Sequence, residues 1–295
     1  MGHSNRQLTS ESLLGELVES QITIGIMQGR LSNKPGKQLQ SFPWDNWKNE
    51  FANAASLGFD TIEWLVDGSE DLANPIASAK GRANIRELEA CHGIKVRSLC
   101  AHTFINGNLL STCSKSNQSI SLLKRILDWA NALDVEIVIL PAMDAMSLRT
   151  LIARERLANI LNDVLTADGP SILLESDLSG SPLSEFVTSV ASSRLGVLYD
   201  LGNSHAMGFD FEADLTELGS MVREIHIKDR KINSGSSQRL GQGETPFRKA
   251  ANVLGLLGWR GPVVLETPIF DDWNQEAKLN LAFTREWLKL LECSR

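Results

Sequence analysis

Four residues have the types and the places to act together: Glu175, Asp200, His226 and Glu266. Each stands at or near the C-terminal end of a short apolar run: SILLES (171–176), GVLYDLGN (196–203), REIHIKD (223–229) and GPVVLET (261–267). The intervals between them are 25, 26 and 40 residues. The first two match one strand-plus-helix unit, and the third is one unit plus a long loop. Three carboxylates brought to one point repel each other unless a cation lies among them. Two glutamates, an aspartate and a histidine suit one hard or borderline divalent ion, Mn, Mg, Co or Zn. Any one of the four, taken alone, could be a polar strand end facing water. Four in register argue against that.

The elements that must position them form a rhythm. Four earlier runs, TIGIMQGR (23–30), TIEWL (61–65), VRSLCAH (96–102) and EIVILP (136–141), bring the strand count to eight. Most are continuously apolar, as strands buried on both faces are. Helical patterns separate or follow them: Trp44–Leu57, Arg82–His92, Ser119–Leu133, Leu148–Thr166, Leu183–Ser192, Phe211–Gly219, Thr245–Leu257 and Asp272–Leu291. Gly58 and Gly93 are fitting helix stops. Strict alternation implies a parallel sheet with helices outside, and eight repeats close into an α/β, (β/α)8 TIM barrel. In such a barrel all strand C-termini face one way, and the site lies there. No Pro/Gly/Ser linker divides the chain, so 22–295 reads as a single domain. Residues 1–21 read as an N-terminal extension with a short helix over Glu11–Glu19. The segment Lys231–Gln242 looks the most flexible internally.

Composition fits one large domain. The 295 residues are 42% hydrophobic and 22% charged, with a net charge of −7. That balance argues against a protein that grips a nucleic-acid backbone. Cys91, Cys100, Cys113 and Cys293 form no CxxC pair and read as reduced thiols. No apolar run reaches the roughly 18 residues that span a bilayer, and the polar start lacks the order of a secretion signal. A cytoplasmic enzyme without membrane attachment is the expectation. There is no GxGxxG after the first strand and no phosphate-binding Walker loop, so no nucleotide cofactor is expected.

The chain resembles the xylose isomerase-like sugar isomerase/epimerase superfamily, which also contains endonuclease IV-type repair enzymes. The resemblance runs from Ile22 to Leu291. It is carried by GIMQGR (25–30), LGFDTIEW (57–64), LLES (173–176), LYDLGN (198–203), HIKDR (226–230) with LGQG (240–243), and LETP (265–268). It implies that Glu175, Asp200, His226 and Glu266 bind one metal. It also implies that Glu175 and Glu266 flank a small carbohydrate substrate and are the catalytic acid/base pair. The expected reaction is isomerisation or epimerisation of a sugar or sugar phosphate through a metal-bound cis-enediolate. A dehydratase or lyase acting on a polyol or keto-acid would share the same first step. An endonuclease of the related type uses three zinc ions and more histidines than the five present here. A non-catalytic ligand-binding barrel would not need all four ligands. Barrels of this kind often pair, so a homodimer is compatible with the sequence but not required by it.

Further residues are candidates for substrate contact. Asn203, where related enzymes often carry a histidine, would hydrogen-bond substrate. Arg239 precedes the Gly241-Gln242-Gly243 turn, where similar epimerases use an arginine on a substrate hydroxyl or phosphate; its alternative is a solvated loop cation. Lys228 shares strand parity with His226, and Asp229 could orient a ligand from behind. Glu63 would face the cavity if its parity is inward, and Trp64 could stack a sugar or simply pack. Arg30 suits an anionic group or a tie across the barrel rim. His102 ends the third strand and could line the pocket. His205 reads as a helix-start or surface histidine.

Overall fold

The computed structural model describes residues 22–33, 40–68, 71–112, 114–165, 168–233 and 235–294. The extension 1–21, with its expected helix, lies outside them. Eight parallel strands close a barrel: β1 (Ile24–Met27), β2 (Thr61–Leu65), β3 (Lys95–Cys100), β4 (Ile137–Ala142), β5 (Ser171–Ser176), β6 (Leu195–Asp200), β7 (Val222–Ile227) and β10 (Val263–Leu265). β1 pairs with β10 on one side and β2 on the other, which completes the ring. Among the described residues, no helix is long and apolar enough to cross a membrane.

Helices α1 (Asn49–Leu57), α2 (Ala79–His92), α3 (Ser114–Ala132), α4 (Leu151–Val164), α5 (Gly180–Val190), α7 (Phe211–Leu218), α8 (Phe247–Leu256) and α9 (Trp273–Cys293) follow the strands. Their bounds follow local capping. Ser78 accepts from Gly81 N and opens α2; Thr150 accepts from Ala153 N and sets the start of α4 three residues later than the apolar pattern suggests. α1 begins at Asn49 rather than Trp44, because residues 44–48 form turns. Its Trp47 instead packs edge-on against Trp64. A short α6 (Leu201–Ala206) directly after β6 was not expected from periodicity; six residues are too few to show one.

The barrel interior has two characters. Ile137, Ile139, Leu173 and Leu198 on β4, β5 and β6 make a small apolar cluster separate from the main core. From β2, β3 and β7 come Glu63, Ser98, Glu224 and His226, all buried. The main core lies between strands and helices and takes in Trp64, Leu99, Leu123, Leu161 and Trp287. Trp64 is 0% exposed and donates to Asn74 Oδ1, so it packs and offers no wall to a sugar. Trp287 donates to Phe247 O and seats α9 on α8.

Described residues around the segment 231–242 make defined contacts with the end of the seventh strand unit. Asp229–Arg230 (β8) and Ser237–Gln238 (β9) form a two-stranded antiparallel pair. Asp229 accepts from the backbone N–H groups of Gly241, Gly243 and Thr245 at 2.8–3.1 Å. A Cβ at Gly243 would lie 2.1 Å from Asp229 Oδ1, which explains the glycine. Asp229 therefore grips the loop and does not stand behind a cluster ligand.

Candidate active site

The strand ends bring the four singled-out residues together. One ligand atom from each of Glu175, Asp200, His226 and Glu266 lies within 4.8 Å of the others, and all four residues are buried. Glu175 is the fifth residue of β5, Asp200 the last of β6, His226 the fifth of β7, and Glu266 follows β10. Asp200 and His226 are direct neighbours in the register of β6 and β7. Asp200 also caps α6, its Oδ1 accepting from Asn203 N at 2.7 Å. His226 Nδ1 lies 2.9 Å from Glu266 Oε2.

Lys228, one strand repeat beyond His226, reaches the same point. Its Nζ stands 2.9 Å from Asp200 Oδ2 and 2.8 Å from Glu266 Oε1, and the residue is 4% exposed. Burial opposes its charge, but Asp200, Glu266 and Glu175 hold its pKa above the ordinary lysine value. The two glutamates are driven apart. Burial, then the charge of Glu266, pushes Glu175 up to about 8. Burial would push Glu266 up as well, yet Lys228 and His226 hold it well below the usual carboxylate range.

This donor set fits a divalent cation. Three carboxylates carry three negative charges and Lys228 returns one positive charge. With all three carboxylates ionised and the histidine neutral, as ligands to a metal must be, a divalent ion brings the cluster to neutrality. The histidine contacts agree. His226 Nδ1 faces Glu266 Oε2, while Nε2 faces Glu63 Oε2 at 3.2 Å. A neutral imidazole has one N–H and cannot donate to both. A ring with two protons serves both carboxylates, and burial notwithstanding, Glu63, Glu224 and Glu266 raise its pKa well above the ordinary value. A cation at Nδ1 would take the place of one proton.

Asn203 is bonded on both sides. Its Nδ2 donates to Glu175 Oε1 at 2.7 Å, and its Oδ1 accepts from Arg230 at 2.7 Å. α6 comes close enough to β7 for this because residue 202 is glycine; a Cβ there would meet Lys228 O at 2.7 Å. A cavity of about 730 Å³ opens beside Asn203 and Arg230, with Arg149, Asp177 and Met207 also on its wall. Its size is in the range of small-molecule sites. A second cavity of about 530 Å³, lined by Arg97, Ser171, Arg223 and Trp259, lies at the opposite, N-terminal end of the strands. That end of a barrel ordinarily serves stability.

The family model described as xylose isomerase-like TIM barrel matches residues 51–287. The chain belongs to that family. L-ribulose-5-phosphate 3-epimerase UlaE of Escherichia coli (strain K12 / DH10B) is 20% identical over 258 residues, covering 82% of this chain and 89% of that protein. Among solved structures, D-psicose 3-epimerase with D-tagatose from Clostridium cellulolyticum H10 superposes with a TM-score of 0.68 at 19% identity, over 90% of this chain and 99% of that one. The IOLI protein with a binding zinc atom gives a TM-score of 0.68 at 16% identity, over 93% and 99%.

Within this xylose isomerase-like barrel the remaining candidates fall in different places. Arg30 is buried and donates to Thr267 O at 3.1 Å and to Gln40 Oε1 at 2.7 Å, a tie across the barrel rim. Gln40 in turn donates to Glu266. His102 opens a 3-10 turn (His102–Asn106) after β3, half-buried. Burial lowers its pKa against the pull of Glu266. Arg239 pairs with Glu276 of α9 at 2.8 Å and lies over the Phe270 ring at 4.1 Å. This draws it onto the outer rim, and among the described residues no hydrogen bond or ion pair joins it to the four-residue cluster. Glu63 points inward, but beneath His226, and takes a hydrogen bond from Ser98 Oγ at 3.0 Å. His205 lies in α6, half-buried.

Sequence reasoning missed Glu224, Gln40 and the role of Arg230. Glu224 was accessible: it shares strand parity with His226 two residues on, and a charged side chain at that parity in mid-strand points into the barrel. Gln40 carries no such signal, because its contact with Glu266 depends on the path of a loop.

Proposed function

We propose that this chain is a divalent-metal-dependent isomerase or epimerase of a small sugar or sugar phosphate, with Glu175 and Glu266 as its acid/base pair. The observation that carries this reading is the convergence of Glu175, Asp200, His226 and Glu266, with ligand atoms within 4.8 Å, at the C-terminal ends of the strands. The 3-epimerases among the similar proteins support it, and the zinc in a similar fold supports a cation.

The four residues would hold the ion, which when bound supplies Lewis acidity to a carbonyl oxygen. The chain does the rest. Epimerisation next to a carbonyl takes a proton from carbon on one face and returns one on the other, through an enediolate. Glu175 and Glu266 come from β5 and from just after β10, with β6 and β7 between them, so their carboxyls flank whatever Asp200 and His226 face. Asn203 fixes Glu175 by its 2.7 Å bond, and Gln40 fixes Glu266. The Lys228 ammonium is placed to stabilise negative charge developing on a substrate oxygen. Burial of the whole cluster keeps bulk water from competing for these charges. A reducing cytoplasm suits the free thiols Cys91, Cys100 and Cys293.

The test is a panel of ketoses and ketose phosphates incubated with protein and Mn, Co, Mg or Zn, with products resolved by NMR. The expected result is a metal-dependent change of configuration or carbonyl position in one of them. Elimination products would assign the site to a lyase, and no turnover of any carbohydrate would overturn the reading.

A further inference from the structure

Beneath the four-residue cluster lies a second, deeper group that the acid/base chemistry does not use. Glu63 on β2 and Glu224 on β7 are both 0% exposed, as is His226 above them. Ligand-type atoms of the three lie within 4.8 Å of one another. His226 Nε2 is 3.2 Å from Glu63 Oε2 and 3.7 Å from Glu224 Oε1. Among the described residues, His226 is the one ion-pair partner of either carboxylate. Glu63 Oε1 and both oxygens of Glu224 have no hydrogen-bond donor.

Two carboxylates fully removed from water cost several kcal/mol each unless something compensates them. Volume alone does not call for acids here, since the other half of the barrel interior is filled by Ile137, Ile139, Leu173 and Leu198. What the pair faces is one nitrogen of one ring. Ser98 Oγ anchors Glu63 Oε2, the same oxygen that faces Nε2, so the acceptor is itself oriented. On the opposite side of the ring, Nδ1 faces Glu266 and the four-residue cluster.

We propose that Glu63 and Glu224 form a buried pair that fixes the His226 ring with its Nε2–H turned into the barrel and its Nδ1 lone pair turned to the cation. They are positioning residues for metal binding, acting through His226. This inference rests on the metal reading of the four-residue cluster. With Nδ1 given to the cation, the remaining ring proton sits on Nε2, where Glu63 Oε2 accepts it at 3.2 Å and Glu224 Oε1 stands 3.7 Å away. The oxygen facing Nδ1 belongs to another member of the cluster. A ligand histidine whose far nitrogen donates to a carboxylate is held in one tautomer and orientation and binds more strongly.

The test uses Zn²⁺ alone as the probe on the full chain. Glu63→Gln and Glu224→Gln keep side-chain size, and each is expected to weaken Zn²⁺ binding by about 10–100-fold in competition with a chromogenic chelator. Glu89→Gln, which changes a buried acid accepting from Val96 N on the start of β3, is expected to leave the affinity unchanged. Long-range proton–nitrogen NMR of the Zn²⁺-loaded wild type is expected to show His226 protonated at Nε2 and metal-bound at Nδ1. Wild-type affinity in both variants, or a proton on Nδ1, overturns the inference while leaving the metal site intact. A wild type that binds no cation overturns both.

Discussion

Lys228 Nζ lies 2.8 Å from Glu266 Oε1, so a buried ammonium touches one of the two glutamates assigned to proton transfer. The same nitrogen reaches Asp200 at 2.9 Å. This lysine would share the four-residue cluster with a bound cation, and its charge is available where an oxyanion would form. Lys228→Met is expected to lower kcat by about 10²–10³-fold, the scale for losing one oxyanion donor. Zn²⁺ or Mn²⁺ affinity is expected to hold or rise, because a competing cation is gone. Steady-state kinetics and calorimetric metal titration check the two halves. Weakened metal binding with kcat unchanged would give Lys228 a structural role instead.

The chain Arg230–Asn203–Glu175, two bonds of 2.7 Å, aims one oxygen of a buried carboxyl. Asn203→Ala removes the aim without replacing any of the four cluster residues. Misplacing a reacting group by about 1 Å can cost about 100-fold in rate, and a kcat loss of that order is expected, with metal affinity near wild type. A change confined to KM would instead return Asn203 to direct substrate contact, as the sequence suggested.

Glu50 gives a pH dependence with a definite sign. It is buried in α1 and accepts from Gly29 N, Leu31 N and Ser32 Oγ, holding the loop that carries Arg30. Burial pushes its carboxyl up to about 7, against the pull of those bonds. In the unfolded chain it ionises near 4.5. The folded state therefore binds more protons between these values, and stability present at low pH is lost as pH rises through about 7. The full loss is on the order of 3 kcal/mol at about 1.4 kcal/mol per pKa unit. Glu50→Gln is expected to flatten the slope of Tm against pH between 5 and 7. An unchanged slope would place the titration elsewhere.

How much of this was legible in the sequence differs from residue to residue. The convergence of Glu175, Asp200, His226 and Glu266 was, because a parallel barrel puts every strand end on one face and apolar runs locate those ends. Lys228 was, because parity along a strand is strict. The parity of Glu63 was readable and its depth was not. Periodicity says which way a side chain points, but the register shift between Ile62 and Glu63 against β3 sets the level at which it enters the barrel. Asn203 was singled out for substrate, and its bonds to Glu175 and Arg230 could not be foreseen without α6. Arg239 and Arg30 were each read with two options. Glu276 and Phe270 lie in segments brought near Arg239 by tertiary packing, and Gln40 meets Arg30 through the path of the loop they share.

The most direct measurement is solvent-deuterium uptake into the ketose that the panel identifies, with the metal-loaded wild type beside Glu175→Gln and Glu266→Gln. Deuterium is expected to enter at carbon next to the carbonyl with the wild type. Glu175→Gln is expected to abolish that exchange while retaining some bound metal, and Glu266→Gln to reduce it severely. Wild-type exchange in both variants would contradict the assignment of proton transfer to this pair of glutamates.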